Sequence, residues 1–161
     1  MNLSIRPISH DDIEALVQLS LLAFTPVSHS FEQVLGARIY PLIYPDWDRQ
    51  QREEVERVCK DEAKTFVWIA EVDGMITGFI AYTLNSENKT GEVELLAVHP
   101  GYQNRGIGTE LNNFALEKLK ESDMKIAVVA TGGDPGHAPA RRSYEKAGYT
   151  ALPLVRYYKD L

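Results

Sequence analysis

Cysteine is nearly absent from this chain. One residue of 161, Cys59, carries a thiol, so no intrachain disulfide can form, and such sparing use fits a reducing cytoplasm. Cys59 sits in a charged run, VERVCKDEA, with no histidine beside it, and reads as a structural thiol rather than a nucleophile. Basic residues are in deficit as well: 17 Lys+Arg face 23 Asp+Glu, a net charge of −6. That balance argues against a nonspecific nucleic-acid binder, which needs a basic field, and is compatible with a cationic substrate such as an amine. No apolar run approaches the ~20 residues of a membrane span, so no membrane partner is expected. The start, MNLSIRPISHDD, lacks the basic-then-apolar order of a signal peptide. The four histidines, at 10, 29, 99 and 137, show no ligand spacing, so no metal is expected. Repeats, low-complexity tracts and interdomain linkers are also missing. A chain of this length buries about 70% of its unfolded surface on folding, and one domain over 1–161 is the expectation.

What is present is an alternation of two periods. LSIRPI reads as a strand, and Ser9 with Asp12 three residues on forms a capping box before an amphipathic run that Pro26 should end. Residues 27–64 are ambiguous. FEQVLGARIY has helical spacing, Pro41 and Pro45 interrupt, and DWDRQQREEVERVCKDEAK reads as a charged helix with a solvated face. Phe31, Tyr40, Tyr44 and Trp47 in this segment either wall an apolar acceptor pocket or pack as core. TFVWIAEV and MITGFIAYTLN are strands joined at Asp73-Gly74, a strong hairpin signal. GEVELLAVHP is a third strand of that group, and a helix follows with apolar face Ile107, Leu111, Phe114, Ala115 and Leu119. KIAVVAT reads as a buried strand. ARRSYEKA is a short helix with Pro139 at its start and Gly148 past its end, and VRYYKDL is a final strand. The order β-α-α-β-β-β-α-β-α-β predicts one α/β domain around a mixed sheet.

The stretch QNRGIG, between strand and helix, puts two glycines at a helix N-terminus. Such a joint offers unpaired N–H groups and a positive dipole end to an anion, and glycine leaves no side chain in the way. It is not a nucleotide P-loop, because Thr109-Glu110 rather than Lys-Ser/Thr follows Gly108. Nor is it the dinucleotide fingerprint, whose third glycine is replaced by Leu111.

ELLAVHPGYQNRGIGTEL resembles the acetyl-CoA motif of the GCN5-related N-acetyltransferases, Gln/Arg-x-x-Gly-x-Gly/Ala after a strand ending in a Val-x-Pro-like turn. Gln103, Gly106 and Gly108 match, with Arg105 at an often basic position. HAPARRSYEKAGY resembles the family's downstream motif through Ala140, Tyr144, Gly148 and Tyr149, while His137 lies near where an Asn often opens it. The resemblance spans residues 3–160. It implies a single-domain GNAT-like fold with a mixed, mostly antiparallel sheet flanked by helices, and a cytoplasmic N-acetyltransferase that moves acetyl from acetyl-CoA directly to a primary amine. The acceptor would be a small molecule or a peptide or protein; as monomer or homodimer is open. The alternative is a noncatalytic acyl-CoA-binding regulatory module on the same fold.

The resemblance further implies that backbone N–H groups from Asn104 through Arg105, Gly106, Ile107 and Gly108 to Thr109 wrap the coenzyme A pyrophosphate. The pantetheine arm would pair with the strand near Leu96, Ala97 and Val98, with Gln103, His137 and Ala140 as further cofactor contacts. The Val98 N–H would hold the developing oxyanion. Tyr144 is implied as proton donor to the departing sulfur, or packs as a core aromatic. For the base, Glu94 and Glu92 share a strand face with Leu96 and Val98 by simple alternation, and burial there would favour proton uptake; ordered water is the other option.

Overall fold

In the computed structural model, which describes residues 1–161, LSIRP forms β1 (Leu3–Pro7). The Asp12 carboxylate accepts from the Ser9 N–H at 2.7 Å and from both terminal nitrogens of Arg6, so the expected cap is tied back to the strand it leaves. Helix α1 (Ile13–Ile43) follows. It does not end at Pro26 as its sequence suggests. The ring removes only the N–H that the Leu22 carbonyl would accept, and Leu22 lies on the exposed side. The helical path is interrupted instead at Gly36, where φ is +80°. The ambiguous segment thus becomes the rest of α1 and α2 (Trp47–Lys60), whose first turn is capped by the Asp46 carboxylate accepting from the Arg49 N–H at 3.2 Å.

Strands β2 (Thr65–Val72) and β3 (Met75–Asn85) form the expected hairpin, with Asp73 and Gly74 at φ 51° and 82°, the paired left-handed positions of a type I′ turn. Then come β4 (Thr90–Val98), α3 (Ile107–Glu121), β5 (Ile126–Val129) and α4 (Ala138–Lys146). The sheet order is β1-β2-β3-β4-β5, antiparallel except for the β4–β5 pair. Two apolar layers hold it. On one face Leu16, Val17, Val55, Val58, Ile69, Phe79 and Ala97 bury α1 and α2; on the other, Ile80, Tyr82, Val93, Ile107, Leu111 and Leu119 bury α3. Each Val, Leu, Ile or Phe side chain among them contributes about 1.5–3 kcal/mol on full burial.

Two expectations fail at the chain's end. VRYYKDL forms no strand, and nothing after Lys146 is in regular structure. Consequently β5 is the outermost strand, and Ile126 and Val128 are exposed rather than buried. A third fails inside the sheet. Ala81 pairs with Leu95 and Tyr82 with Val93, which leaves Glu94 as the extra residue of a β-bulge. A bulge reverses the alternation beyond it. Leu96 and Val98 pack in the α3 layer with Val93, whereas Glu92, opposite Thr83, and Glu94, which accepts from Thr83 Oγ1 at 3.4 Å, lie on the α1/α2 side.

Candidate active site

The loop from Val98 to α3 is built to present backbone. Pro100–Tyr102 makes a short 3-10 turn whose Gly101 N–H donates to His99 Nδ1 at 3.0 Å. The Gln103 side-chain amide donates to the Val98 carbonyl at 3.0 Å, pinning the loop to the strand end, and the Arg105 guanidinium lies 5.2 Å over the Tyr102 ring. Asn104 and Gly106 then take left-handed φ values of 61° and 85°, turning the chain into α3, whose first helical bond is Glu110 N–H to Gly106 O at 3.0 Å. From Asn104 to Thr109 no backbone N–H has a partner in the protein.

The two glycines have different reasons. Gly106 is required by its φ. Gly108 has ordinary helical geometry, and a Cβ there would meet only Val98 Cγ2, at 3.8 Å. Nothing in the protein asks for glycine at 108; the missing side chain leaves space over a row of free donors. That arrangement fits the pyrophosphate of coenzyme A.

Beside the loop the sheet opens. Pairing of β4 with β5 covers only Thr90–Val93 on β4 and ends at Val93–Val129. From the bulge onward, Leu95–Val98 have β3 on one side and no strand on the other. The Val98 carbonyl, taken by Gln103, points into this slot; strand alternation therefore aims the N–H groups of Leu96 and Val98 the same way. Ala97 instead is buried toward α1.

Helix α4 closes the α3 side. Asn112 Nδ2 donates to Ser143 Oγ at 3.1 Å, while the buried Asn112 Oδ1 has no partner. Ala140 and Tyr144 are half-buried. The Tyr144 ring stands edge-on to Tyr149 at 5.7 Å, and burial pushes its phenol up to about 12. Its hydroxyl stays protonated throughout the neutral range and makes no hydrogen bond within the protein. Glu92 and Glu94 are exposed, so neither has the apolar surroundings expected of a strand-borne base. Cys59 is buried, with its thiol pushed up to about 11, which makes it a poor nucleophile.

One constellation escaped the sequence. The connection from β5 to α4 crosses to α1, where Asp134 Oδ2 accepts from Ser30 Oγ at 2.6 Å and Asp134 Oδ1 lies 2.5 Å from His137 Nδ1. Burial opposes the Asp134 charge, yet the bonds from Ser30 and His137 prevail and hold its carboxyl below the usual range. Arg141 donates to the carbonyls of Gly132 and Asp134 at 2.6 and 2.7 Å, fixing the loop. His137 is thus held by Asp134 and rests on Phe31 at 5.4 Å, with Nε2 free of protein partners. The spacing Asp-x-x-His was legible, but Ser30 lies 104 residues away. Phe31 also lines a cavity of about 140 Å3 with Phe24, Val27, Tyr40, Tyr44 and Trp47, so the aromatic residues of the ambiguous segment wall a space.

The fold is shared with solved acetyltransferases. PaiA N-acetyltransferase of Thermoplasma acidophilum, solved with coenzyme A, aligns over 94% of this chain and 92% of its own at TM-score 0.70 and 17% identity. A GNAT-family acetyltransferase of Brucella melitensis, solved with acetyl-CoA, aligns over 93% and 84% at TM-score 0.66 and 22% identity. In sequence, an uncharacterized N-acetyltransferase of Archaeoglobus fulgidus is 35% identical over 74 residues, 43% of this chain and 50% of that one. Mycothiol acetyltransferase of Streptomyces griseus is 31% identical over 92 residues, 57% of this chain and 29% of that one. The chain spans half or less of the length of these two relatives. Residues 36–149 match the acetyltransferase (GNAT) family, and the chain belongs to that family. No helix is long and apolar enough to cross a membrane.

Proposed function

We propose that this chain transfers an acetyl group from acetyl-CoA directly to an amine nitrogen of a small molecule or peptide. The observation that carries this reading is the row of unpartnered N–H groups from Asn104 to Thr109 leading into the open side of β4. The loop holds the pyrophosphate, the pantetheine arm adds along Leu96–Val98 as a short strand, and the thioester carbonyl comes to the Val98 N–H. The amine lone pair attacks that carbonyl carbon, the C–S bond breaks, and the thiolate departs.

Tyr144 serves the sulfur. With its phenol near 12, above a free thiol at about 8.5, it stabilises the thiolate by donating a hydrogen bond without surrendering its proton. The amine must also lose a proton, since a lysine-like ammonium has a pKa near 10.4. Glu94 sits at the bulge where the slot begins, and Glu92 one strand period farther out; an exposed carboxylate works here through water. His137 is a third acceptor. Asp134 faces Nδ1, so the neutral imidazole carries its proton there and presents a lone pair at Nε2. Phe31 links that imidazole to the aromatic cavity, which suits a small apolar group on the acceptor.

The deciding measurement is release of free thiol from acetyl-CoA on addition of polyamines, amino acids, aminoglycosides, arylalkylamines and peptide N-termini. Acceptor-dependent release supports the enzyme. Tight coenzyme A binding with no release from any amine would make the chain a noncatalytic acyl-CoA-binding module.

A further inference from the structure

The middle of the chain builds a cavity and leaves it unfilled. Phe24, Val27, Ser28 and Phe31 recur at the three- and four-residue spacing of one face of α1. At Gly36 the path turns, with a φ of +80° that keeps glycine there. Tyr40 and Tyr44, one turn apart after that break, come back against the same face, and Trp47 joins them from the start of α2. Phe31 and Tyr44 stack at 5.6 Å, and Tyr40 meets Tyr44 at 5.5 Å. The polar groups of the wall are largely spent within the protein: the Ser28 and Tyr40 hydroxyls bond to each other, and Gln51 Nε2 donates to Ser20 Oγ at 2.7 Å. None of the nine lining residues is charged. Protein interiors hold few voids larger than a water molecule, and an apolar space walled by aromatic side chains is the common form of a small-molecule site.

The size fits one ring. At about 140 Å3 the space is close to the roughly 150 Å3 apolar cavity that takes up benzene in an engineered protein. Its position ties it to the transfer site. Phe31 also carries the His137 ring at 5.4 Å, and Ser30, beside Phe31 in the chain, bonds to the Asp134 carboxylate that holds that imidazole. We propose that the acceptor is an arylalkylamine, a primary amine joined to a single aromatic ring by a short uncharged spacer, with its ring in this cavity and its nitrogen at His137 Nε2. The assignment rests on acetyl transfer at the adjoining slot and names what that site takes. The amine gives its proton to Nε2, its lone pair forms the N–C bond, and the C–S bond breaks with the electron pair leaving on sulfur. The proton then passes from the imidazolium through solvent to the thiolate. Polycationic acceptors fit poorly. A polyamine or an aminoglycoside would bring a further ammonium to a wall without a carboxylate, and a buried charge without a partner is costly. A small alkylamine meets no such penalty but leaves the aromatic faces uncovered.

The test follows free-thiol release from acetyl-CoA by the full chain with phenethylamine, ethylamine, spermidine and kanamycin as acceptors. Phenethylamine should exceed ethylamine, the same amine without its ring, by at least tenfold in kcat/KM, as burial of one ring predicts. Spermidine and kanamycin should fall below phenethylamine. Val27→Phe fills the cavity from α1, with circular dichroism and coenzyme A affinity as checks on folding. It should raise the KM for phenethylamine at least tenfold and narrow its lead over ethylamine to less than threefold. Phenethyl alcohol, which keeps the ring and has no reactive nitrogen, should compete with phenethylamine and show saturation transfer from the protein to its ring protons. Should Val27→Phe not fold, that competition decides, and its absence overturns the proposal. Equal kcat/KM for phenethylamine and ethylamine, or a preference for spermidine or kanamycin, overturns the ring assignment and leaves acetyl transfer standing. Release from none of the amines overturns the acceptor role together with acetyl transfer, and bound phenethyl alcohol would then leave the cavity as a ring site alone.

Discussion

Gly108 separates what the protein needs for itself from what it keeps for a ligand. It is the second residue of α3, and a Cβ would find one neighbour, Val98 Cγ2, at 3.8 Å, an ordinary contact. Gly108→Ala should therefore not strain the fold. Replacing a helical glycine removes conformational freedom from the unfolded chain and stabilises by up to about 1 kcal/mol, a rise in Tm of roughly 2–4 °C at this chain length. The same methyl projects over the free N–H groups where the pyrophosphate would lie. Coenzyme A binding by titration calorimetry should weaken at least tenfold, about 1.4 kcal/mol, and more for Gly108→Val. Gly106→Ala is the contrast. At φ 85° a side chain costs about 1–2 kcal/mol, so there Tm should fall. Unaltered affinity in Gly108→Val would refute the reasoning and leave the loop as a turn.

Other perturbations read other parts of the site. Tyr144→Phe keeps the ring and removes the donor, so kcat should fall by up to the 10²–10³-fold typical of losing one hydrogen-bond donor to developing negative charge while coenzyme A affinity holds; an unchanged kcat would leave the ring as packing. Because burial pushes the phenol up to about 12, an alkaline loss of activity below pH 11 should survive in that variant. Glu94→Gln, Glu92→Gln and His137→Asn, compared by kcat/KM against pH, should lose the acidic limb only where the base was removed; three unchanged profiles would leave the proton to water or to the amine itself. Away from the site, Arg6 holds the Asp12 carboxyl below its usual range. That contribution is complete above about pH 4 and is lost as pH falls through the lowered folded value, so Asp12→Asn should lower stability at neutral pH by about 1.5–3 kcal/mol and flatten the acid limb of urea melts.

Local rules were legible in the sequence because they act over a few residues. Asp73-Gly74 specified its turn by the φ values those residues accept, Ile107, Leu111, Ala115 and Leu119 specified the buried stripe of α3, and QNRGIG specified an open helix start. Pro26 misled because a lost N–H matters only where the orphaned carbonyl has no recourse, and that depends on what lies around the helix. Tertiary structure alone decided the bulge at Glu94, since it exists only as a mismatch between β4 and β3; with it came the opposite facing of the glutamates and the slot beyond Val93. It likewise joined Ser30 to Asp134 across 104 residues, gathered aromatic side chains from α1 and α2 around one cavity, and left VRYYKDL outside the sheet. A strand exists only through its neighbour, and that neighbour is not written in the strand's own residues.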